Sequence, residues 1–319
     1  LNKLRAALEL HQVVIYFACV VSAALVAGII RDASGLEWAV NPALALMLFV
    51  TFLQVPVTEV RQALTRMRFL FALLATNFIA IPLLAAALVS VIPLDPLLRF
   101  GVLLVLLMPC IDYVVTFTHL GCGDARLMLA ATPLLLVAQM ALLPVYLRVF
   151  IGDTAAHLIH PGPFIDAFLW LIATPFLLAA LVQLWASRHR SGARVAAVFG
   201  LLPVPATALV LFIVVMAMVP QLGAAPGMAL WVIPCYLIFA VAAPLVGWSA
   251  ARLFRLETGA ARALAFSAST RNSLVVLPLA LAIPGTAPLL PAIIVTQTLV
   301  ELVSELIYLR VIPLLIRER

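Results

Sequence analysis

The sequence predicts an all-α polytopic membrane protein. Ten transmembrane helices are expected, as two inverted five-helix repeats with broken, crossing helices 4 and 9. Three observations predict this. Of 319 residues, 66% are hydrophobic and 10% charged, where soluble domains hold roughly 45–50% and ~25%. Apolar runs near membrane-spanning length recur ten times. Short strings from the first half return in the second at a nearly constant offset. The composition excludes a soluble globular enzyme, a disordered chain and a nucleic-acid-binding domain.

Reading apolar runs between charged or Gly/Pro-rich breaks gives spans at residues 8–30, 39–56, 69–92, 100–120, 127–151, 164–186, 195–219, 228–254, 260–283 and 288–316. Runs this long satisfy their backbone polar groups internally as helices, not as alternating barrel strands. Lys3 and Arg5 precede the first span, as in a signal peptide, but the run is too long and lacks a small-residue cleavage site. It reads as a mature span.

Charge orients the spans. The net charge is +6. Arg31, Arg99 and Arg148 fall on one side, Arg271 lies inside a span, and the other Lys and Arg residues fall opposite. This positive-inside bias places both termini in the cytoplasm of a multi-pass inner (plasma) membrane protein. Trp38, Trp170, Trp185 and Trp231 stand near span ends as interface anchors. The four cysteines show neither metal-type spacing nor a disulfide framework.

The repeat divides the chain into residues 1–160 and 161–319, forming one membrane unit. Asn77-Phe-Ile-Ala-Ile-Pro-Leu-Leu-Ala lies over Phe239-Ala-Val-Ala-Ala-Pro-Leu-Val-Gly, with Pro82 on Pro244. Tyr146-Leu-Arg-Val returns as Tyr308-Leu-Arg-Val at the same offset of 162. Ala45-Leu-Met-Leu-Phe-Val returns as Ala208-Leu-Val-Leu-Phe-Ile, one residue further. Five spans per copy is an odd number, so the second copy is inverted. That is the architecture of secondary transporters, whose sites lie at discontinuous helices.

Met108-Pro109-Cys110-Ile111-Asp112-Tyr113 interrupts the fourth span, where proline removes a helix hydrogen bond. The offset places Cys110 on Asn272, within the polar string Ser267-Ala-Ser-Thr-Arg-Asn-Ser of the ninth. Asp112, Arg271, Glu301 and Glu305 lie inside spans, where each costs at least ~2.5 kcal/mol unless paired or hydrated. Glu301 falls on Gln139, so both copies present a polar group there. Glu301 and Glu305 share a helix face. Two carboxylates so placed repel when both are charged, which suits a proton carrier. The plainer alternative has Glu305 snorkelling or meeting Arg310. Arg271 and Asp112 are expected to face each other at the crossing. There the guanidinium either replaces a bound cation, giving sodium-independent transport, or holds an anionic substrate.

At these residues the sequence resembles the bile acid:sodium symporter superfamily, and within it the arsenite efflux permease branch. Asn77-Phe-Ile-Ala-Ile-Pro resembles that branch's Asn-Trp-x-x-Gly-Pro string. Met108-Pro109-Cys110 resembles its Ala-Pro-Cys, Gly123-Asp124 its Gly-Asp, and Val300-Glu301-Leu302 its Val-Glu-Val. The resemblance implies a substrate role for Cys110 and a proton role for Glu301. The ninth helix departs from it: Leu274 replaces the branch's glutamate and Arg271 its first asparagine, so sodium coupling is not implied.

The leading expectation is a proton-coupled antiporter for arsenite or a related metalloid, of the arsenic resistance type. Cys110 stands near the substrate, and Glu301, Asp112, Glu305 and Gln139 serve coupling. A thiophilic centre selects sulfur. The alternative is a small organic anion held by Arg271, Asn272, Asn77 and Thr116. A membrane enzyme or receptor-like module is the third class; no nucleotide loop or catalytic cluster supports an enzyme, and no cofactor is expected. The partners are a small-molecule or metalloid substrate, a proton and the bilayer, with no nucleic acid. His157, His160, Asp153 and Asp166 read as solvated loop polarity.

Overall fold

The computed structural model describes residues 2–29, 36–54, 66–111, 113–151, 169–218, 227, 231–281, 283 and 289–317. Its helices are α1 (Asn2–Ile29), α2 (Glu37–Phe52), α3 (Met67–Val91), α4 (Pro96–Leu106), α5 (Tyr113–Leu120), α6 (Ala125–Ile151), α7 (Thr174–Arg188), α8 (Arg190–Phe199), α9 (Pro203–Met218), α10 (Ile233–Leu253), α11 (Thr258–Ser269), α12 (Ser273–Leu281) and α13 (Leu289–Leu315). Among the described residues there is no strand, only one isolated antiparallel bridge. The chain is all-helical and multi-pass.

Five helices, α1, α3, α6, α10 and α13, are each long and apolar enough to cross a bilayer. The pair α8–α9, bent by 43°, makes a sixth span if taken as one. The seventh span was expected to start at residue 195, but its helix begins at Arg190 as an amphipathic segment and bends before Pro203. The second and sixth expected spans contain α2 and α7, of 16 and 15 residues, shorter than the ~20 that cross without help. A π-helical turn, Leu169–Ala173, leads into α7. The fourth and ninth spans are each split, into α4 and α5 and into α11 and α12. Trp38, Trp170, Trp185 and Trp231 are all exposed, as interface anchors must be.

The described helices fall into two compact units, each drawing on both halves of the chain. In the first unit, α9 packs on α1 and α2, and α7 packs on α2 and α8. Phe52 meets Phe176 edge to face at 5.6 Å, and Phe49 meets Phe199 at 5.4 Å. Gln183 Nε2 donates to the carbonyls of Phe52 and Leu53, both at 3.1 Å. These groups at the end of α2 have no helical partner of their own.

In the second unit, α11 is the central helix. It packs on α10, α3, α5 and α6, and its last nine residues, from Ala261, are buried without exception. The 162-residue offset reappears here in hydrogen bonds. Tyr146 Oη donates to the Phe78 carbonyl at 2.5 Å, and Tyr308 Oη donates to the Ala240 carbonyl, also at 2.5 Å. Pro82 is accommodated by a π-helical turn over Thr76–Ala80, just before it. Such turns relieve a clash with the preceding carbonyls. Gly121-Cys122-Gly123-Asp124 forms the turn after α5, as expected. Cys122 is left-handed there at φ 55, and Asp124 Oδ1 accepts the Leu127 amide at 3.0 Å, opening α6.

The α10–α11 contact depends on Gly247. A Cβ at that position would lie 2.7 Å from Ala265 Cα and 2.9 Å from Ala268 Cβ. Gly247→Ala is expected to cost about 1–3 kcal/mol of overpacking, read as a lowered thermal midpoint in detergent. Gly28→Ala, at a position with nothing within 4 Å, is expected to leave that midpoint unchanged.

Candidate functional site

The site is built from the two helix breaks. After α4 the chain runs through Leu107, Met108, Pro109, Cys110 and Ile111 before α5. After α11 it runs extended through Thr270 and Arg271 to Asn272 before α12. The two interruptions pair. Cys110 N donates to the Thr270 carbonyl at 3.1 Å, and Asn272 N donates to the Met108 carbonyl at 2.7 Å. Pro109 and Arg271 are the bridged residues, and they are themselves 162 apart. The two bonds exchange under that offset, since 108 maps to 270 and 110 to 272.

Sequence explains each break differently. Pro109 has no amide to continue the helix. In the second break, side-chain hydroxyls add a second bond to carbonyls of the last turn, where the Thr270 amide also reaches the Phe266 carbonyl at 3.1 Å. Ser269 Oγ donates to the Ala265 carbonyl at 2.8 Å, and the Thr270 hydroxyl donates to the Phe266 carbonyl. Asn272 Oδ1 then accepts the Val275 amide at 3.3 Å, opening α12.

Arg271 is fully buried. Its Nη2 donates to Asn77 Oδ1 at 2.9 Å and to the carbonyls of Ser267 and Ala268 at 2.6 and 2.9 Å. Its Nη1 donates to the Leu106 carbonyl at 3.3 Å. The Phe239 ring lies 5.7 Å from the guanidinium carbon, within cation–π reach. Asn77 is held in turn by Nδ2 donation to Ser267 Oγ at 3.0 Å.

Glu301 is the second hub. Oε1 accepts the Tyr113 hydroxyl at 2.5 Å, and the same hydroxyl lies 3.2 Å from the Arg271 carbonyl. Oε2 accepts the Arg271 backbone amide at 2.8 Å and the Gln297 side-chain amide. Gln297 Oε1 accepts the Ser273 hydroxyl. The carboxylate therefore bonds to the break itself, and Arg271 presents its amide to Glu301 and its guanidinium elsewhere. A cavity of about 10 Å³, lined by Tyr236, Phe239, Ser269, Gln297, Glu301 and Tyr308 among others, adjoins it. That is room for about one water.

Of the residues singled out from sequence, Cys110, Asn77, Arg271, Asn272 and Glu301 come together here, all buried. Glu305 is fully buried, neither snorkelling nor meeting Arg310, and neither carboxyl oxygen has a hydrogen-bond partner. Gln139 is likewise buried with both amide atoms unpartnered. Thr116 is half-buried on α5 and makes no hydrogen bond to the cluster. Asp112 lies outside the described residues, as do Asp153, His157, His160 and Asp166. Among the described residues no His/Cys/Asp/Glu group could hold a metal.

Tyr113, Gln297 and Ser267 were not singled out from sequence. Tyr113 follows the first break directly, Gln297 lies one helical turn before Glu301, and Ser267 stands in the polar string. A search for hydrogen-bond donors one helical turn from the intramembrane acid would have found Gln297; no local signal ties Tyr113 to Glu301, 188 residues away.

A sequence model of the Sodium Bile acid symporter family matches residues 41–224, more than half of the chain. No curated protein matches the chain.

Tyr113→Phe leaves Glu301 Oε1 without its donor and is expected to cost about 1–3 kcal/mol. In a Glu301→Gln background the same change should cost less by at least about 0.5 kcal/mol, the signature of direct coupling. Thermal unfolding of the four proteins closes the cycle, and additive losses would remove the Tyr113–Glu301 bond from the account.

Proposed function

The chain belongs to the Sodium Bile acid symporter family, and on that premise we propose that it is a proton-coupled secondary transporter exporting arsenite or a related metalloid. Members of this family are transporters, so a small-molecule substrate and a lipid bilayer are its partners. The finer architecture goes with this reading: ten spans, residues 1–160 and 161–319 as inverted copies, and both termini on the cytoplasmic side of the plasma membrane. The hydrogen bonds repeated at Tyr146 and Tyr308 support the copies. So does the exchange symmetry of the bridge between the two breaks.

The observation that carries the mechanism is the bond between Glu301 and the amide of Arg271 at the bridge. A carboxylate fixed to the crossing feels any movement of the two broken helices. Gaining or losing a proton changes its capacity to accept the hydrogen bonds of Tyr113, Arg271 and Gln297. Protonation is thereby tied to the geometry of the site, which is the requirement for coupling. The adjoining cavity has room for one water beside the carboxyl group, a place for a proton relay.

Cys110 supplies the metalloid reading. It is buried and takes part in the bridge through its backbone amide. Thiolate is the ligand that a soft trivalent centre selects. Arg271 Nε and Asn272 Nδ2, both buried without partners, are donors that the hydroxyl oxygens of an uncharged metalloid acid can accept from. The organic-anion alternative is weaker, because both terminal nitrogens of Arg271 are already committed to protein oxygens.

The test is retained arsenite in cells lacking their own arsenic pumps. Wild type is expected to lower it. Cys110→Ala and Glu301→Gln are each expected to abolish the effect at equal membrane expression. Wild-type protein that expresses well and exports no arsenite ends the metalloid reading. Export unchanged in Glu301→Gln ends the proton assignment.

A further inference from the structure

We infer that the Arg271 guanidinium is a resident cation occupying the place of a transported coupling cation, so that this protein works without sodium at the crossing. The inference deepens the reading above, on which it rests for the crossing being the transport site.

The last four carbonyls of an α-helix have no partner within it, and the aligned peptide dipoles make that end attractive to cations. In broken-helix transporters such half-helix ends and unwound carbonyls are what coordinate a coupling ion. Here α4 ends at Leu106 and α11 at Ser269. The guanidinium takes the carbonyl of Leu106 from the first, and those of Ser267 and Ala268 from the second. Asn77 Oδ1 contributes a fourth oxygen.

An oxygen cage drawn from two helix C-termini and a side-chain amide is the donor set a hard cation requires. In this protein those oxygens are spent on a covalently attached charge. A sodium ion entering the cage would have to displace the guanidinium and strip hydrogen bonds from a fully buried group.

Two further observations bear on how the guanidinium is held. Among the described residues no carboxylate lies within salt-bridge distance of the guanidinium; the ion pairs found are Arg5–Glu9 and Arg66–Glu257. Arg271 is therefore not held as half of an ion pair with Glu301, which bonds its backbone instead. The Phe239 ring lies 5.7 Å from the guanidinium carbon, and Arg271 is fully buried, with both terminal nitrogens bonded to protein oxygens. The positive charge at the crossing is thus permanent, whereas a bound ion would come and go with each transport cycle.

The test needs no substrate, so it stands apart from the arsenite assay. Purified full-length protein is melted in detergent in about 150 mM sodium chloride and in matched choline chloride; a site that binds sodium in the folded state must raise the midpoint. Wild type is expected to melt within about 1 °C in the two salts. Arg271→Ala empties the cage. It should melt lower in choline and recover by roughly 3 °C or more when sodium or ~10 mM guanidinium is supplied. Arg271→Lys keeps a charge at the same place and is expected to stay indifferent to sodium, which keeps the proposal testable if the alanine variant does not fold. A sodium-dependent rise in wild type or in Arg271→Lys overturns it. So does an Arg271→Ala protein that folds and responds to neither cation.

Discussion

The pairing of two interrupted helices is the constraint on which the rest of the structure depends. A broken helix inside a membrane leaves amide and carbonyl groups that hydrocarbon cannot satisfy, each costing several kcal/mol. Neither break could exist alone without a partner for those groups. Here each supplies the other: Cys110 N bonds the Thr270 carbonyl and Asn272 N the Met108 carbonyl. The polar residues around the bridge then have defined tasks. Ser269 and Thr270 cover carbonyls from the preceding turn, Asn272 opens α12, and Arg271 covers what remains at the ends of α4 and α11.

That arrangement explains how a chain with so few charges tolerates Arg271 and Glu301 deep inside it. A buried charge is costly unless it is paired and hydrogen-bonded. Arg271 meets the requirement with carbonyl dipoles, and Glu301 meets it with donors from Tyr113, Gln297 and the Arg271 amide. Both networks pass through one residue, on its side chain and its backbone respectively. A displacement at the bridge therefore reaches both at once. Glu305, one turn further along α13, has no such provision: it is fully buried and neither carboxyl oxygen is hydrogen-bonded.

How much of this was legible in the sequence follows from the range of the interactions involved. Pro109 and the polar string before Asn272 are local signals, and the helices break at both; Glu301 drew notice as an acid within an apolar run. The partners were not local. Tyr113 and Glu301 are separated by 188 residues and Asn77 and Arg271 by 194, and no periodicity reports such a meeting. The carbonyls that meet the Arg271 guanidinium carry no sequence signal either, since every residue has one and only the fold turns Leu106, Ser267 and Ala268 toward it; the expected partner Asp112 lies outside the described residues. Hydropathy also read ten runs as similar objects. It has no access to where a run bends, as α8–α9 does, or stops short, as α2 and α7 do.

The two halves differ most where their likeness makes a comparison possible. Gln139 occupies the position that Glu301 holds in the second half, and a symmetric chain would surround it with the same donors. The offset names what stands there instead. Where Glu301 has the Arg271 amide, Gln139 has Pro109, which carries no N–H. In place of the Tyr113 hydroxyl it has Val275, and in place of Gln297 it has Leu135. All three donors are gone, and Gln139 is left buried with neither amide atom bonded. The acid and its donors have been kept or lost together, as they must be if each is useful only in the other's presence. One proline accordingly does two things: it breaks the helix after α4 where the bridge forms, and it withholds from the first half the amide that an acid at position 139 would need.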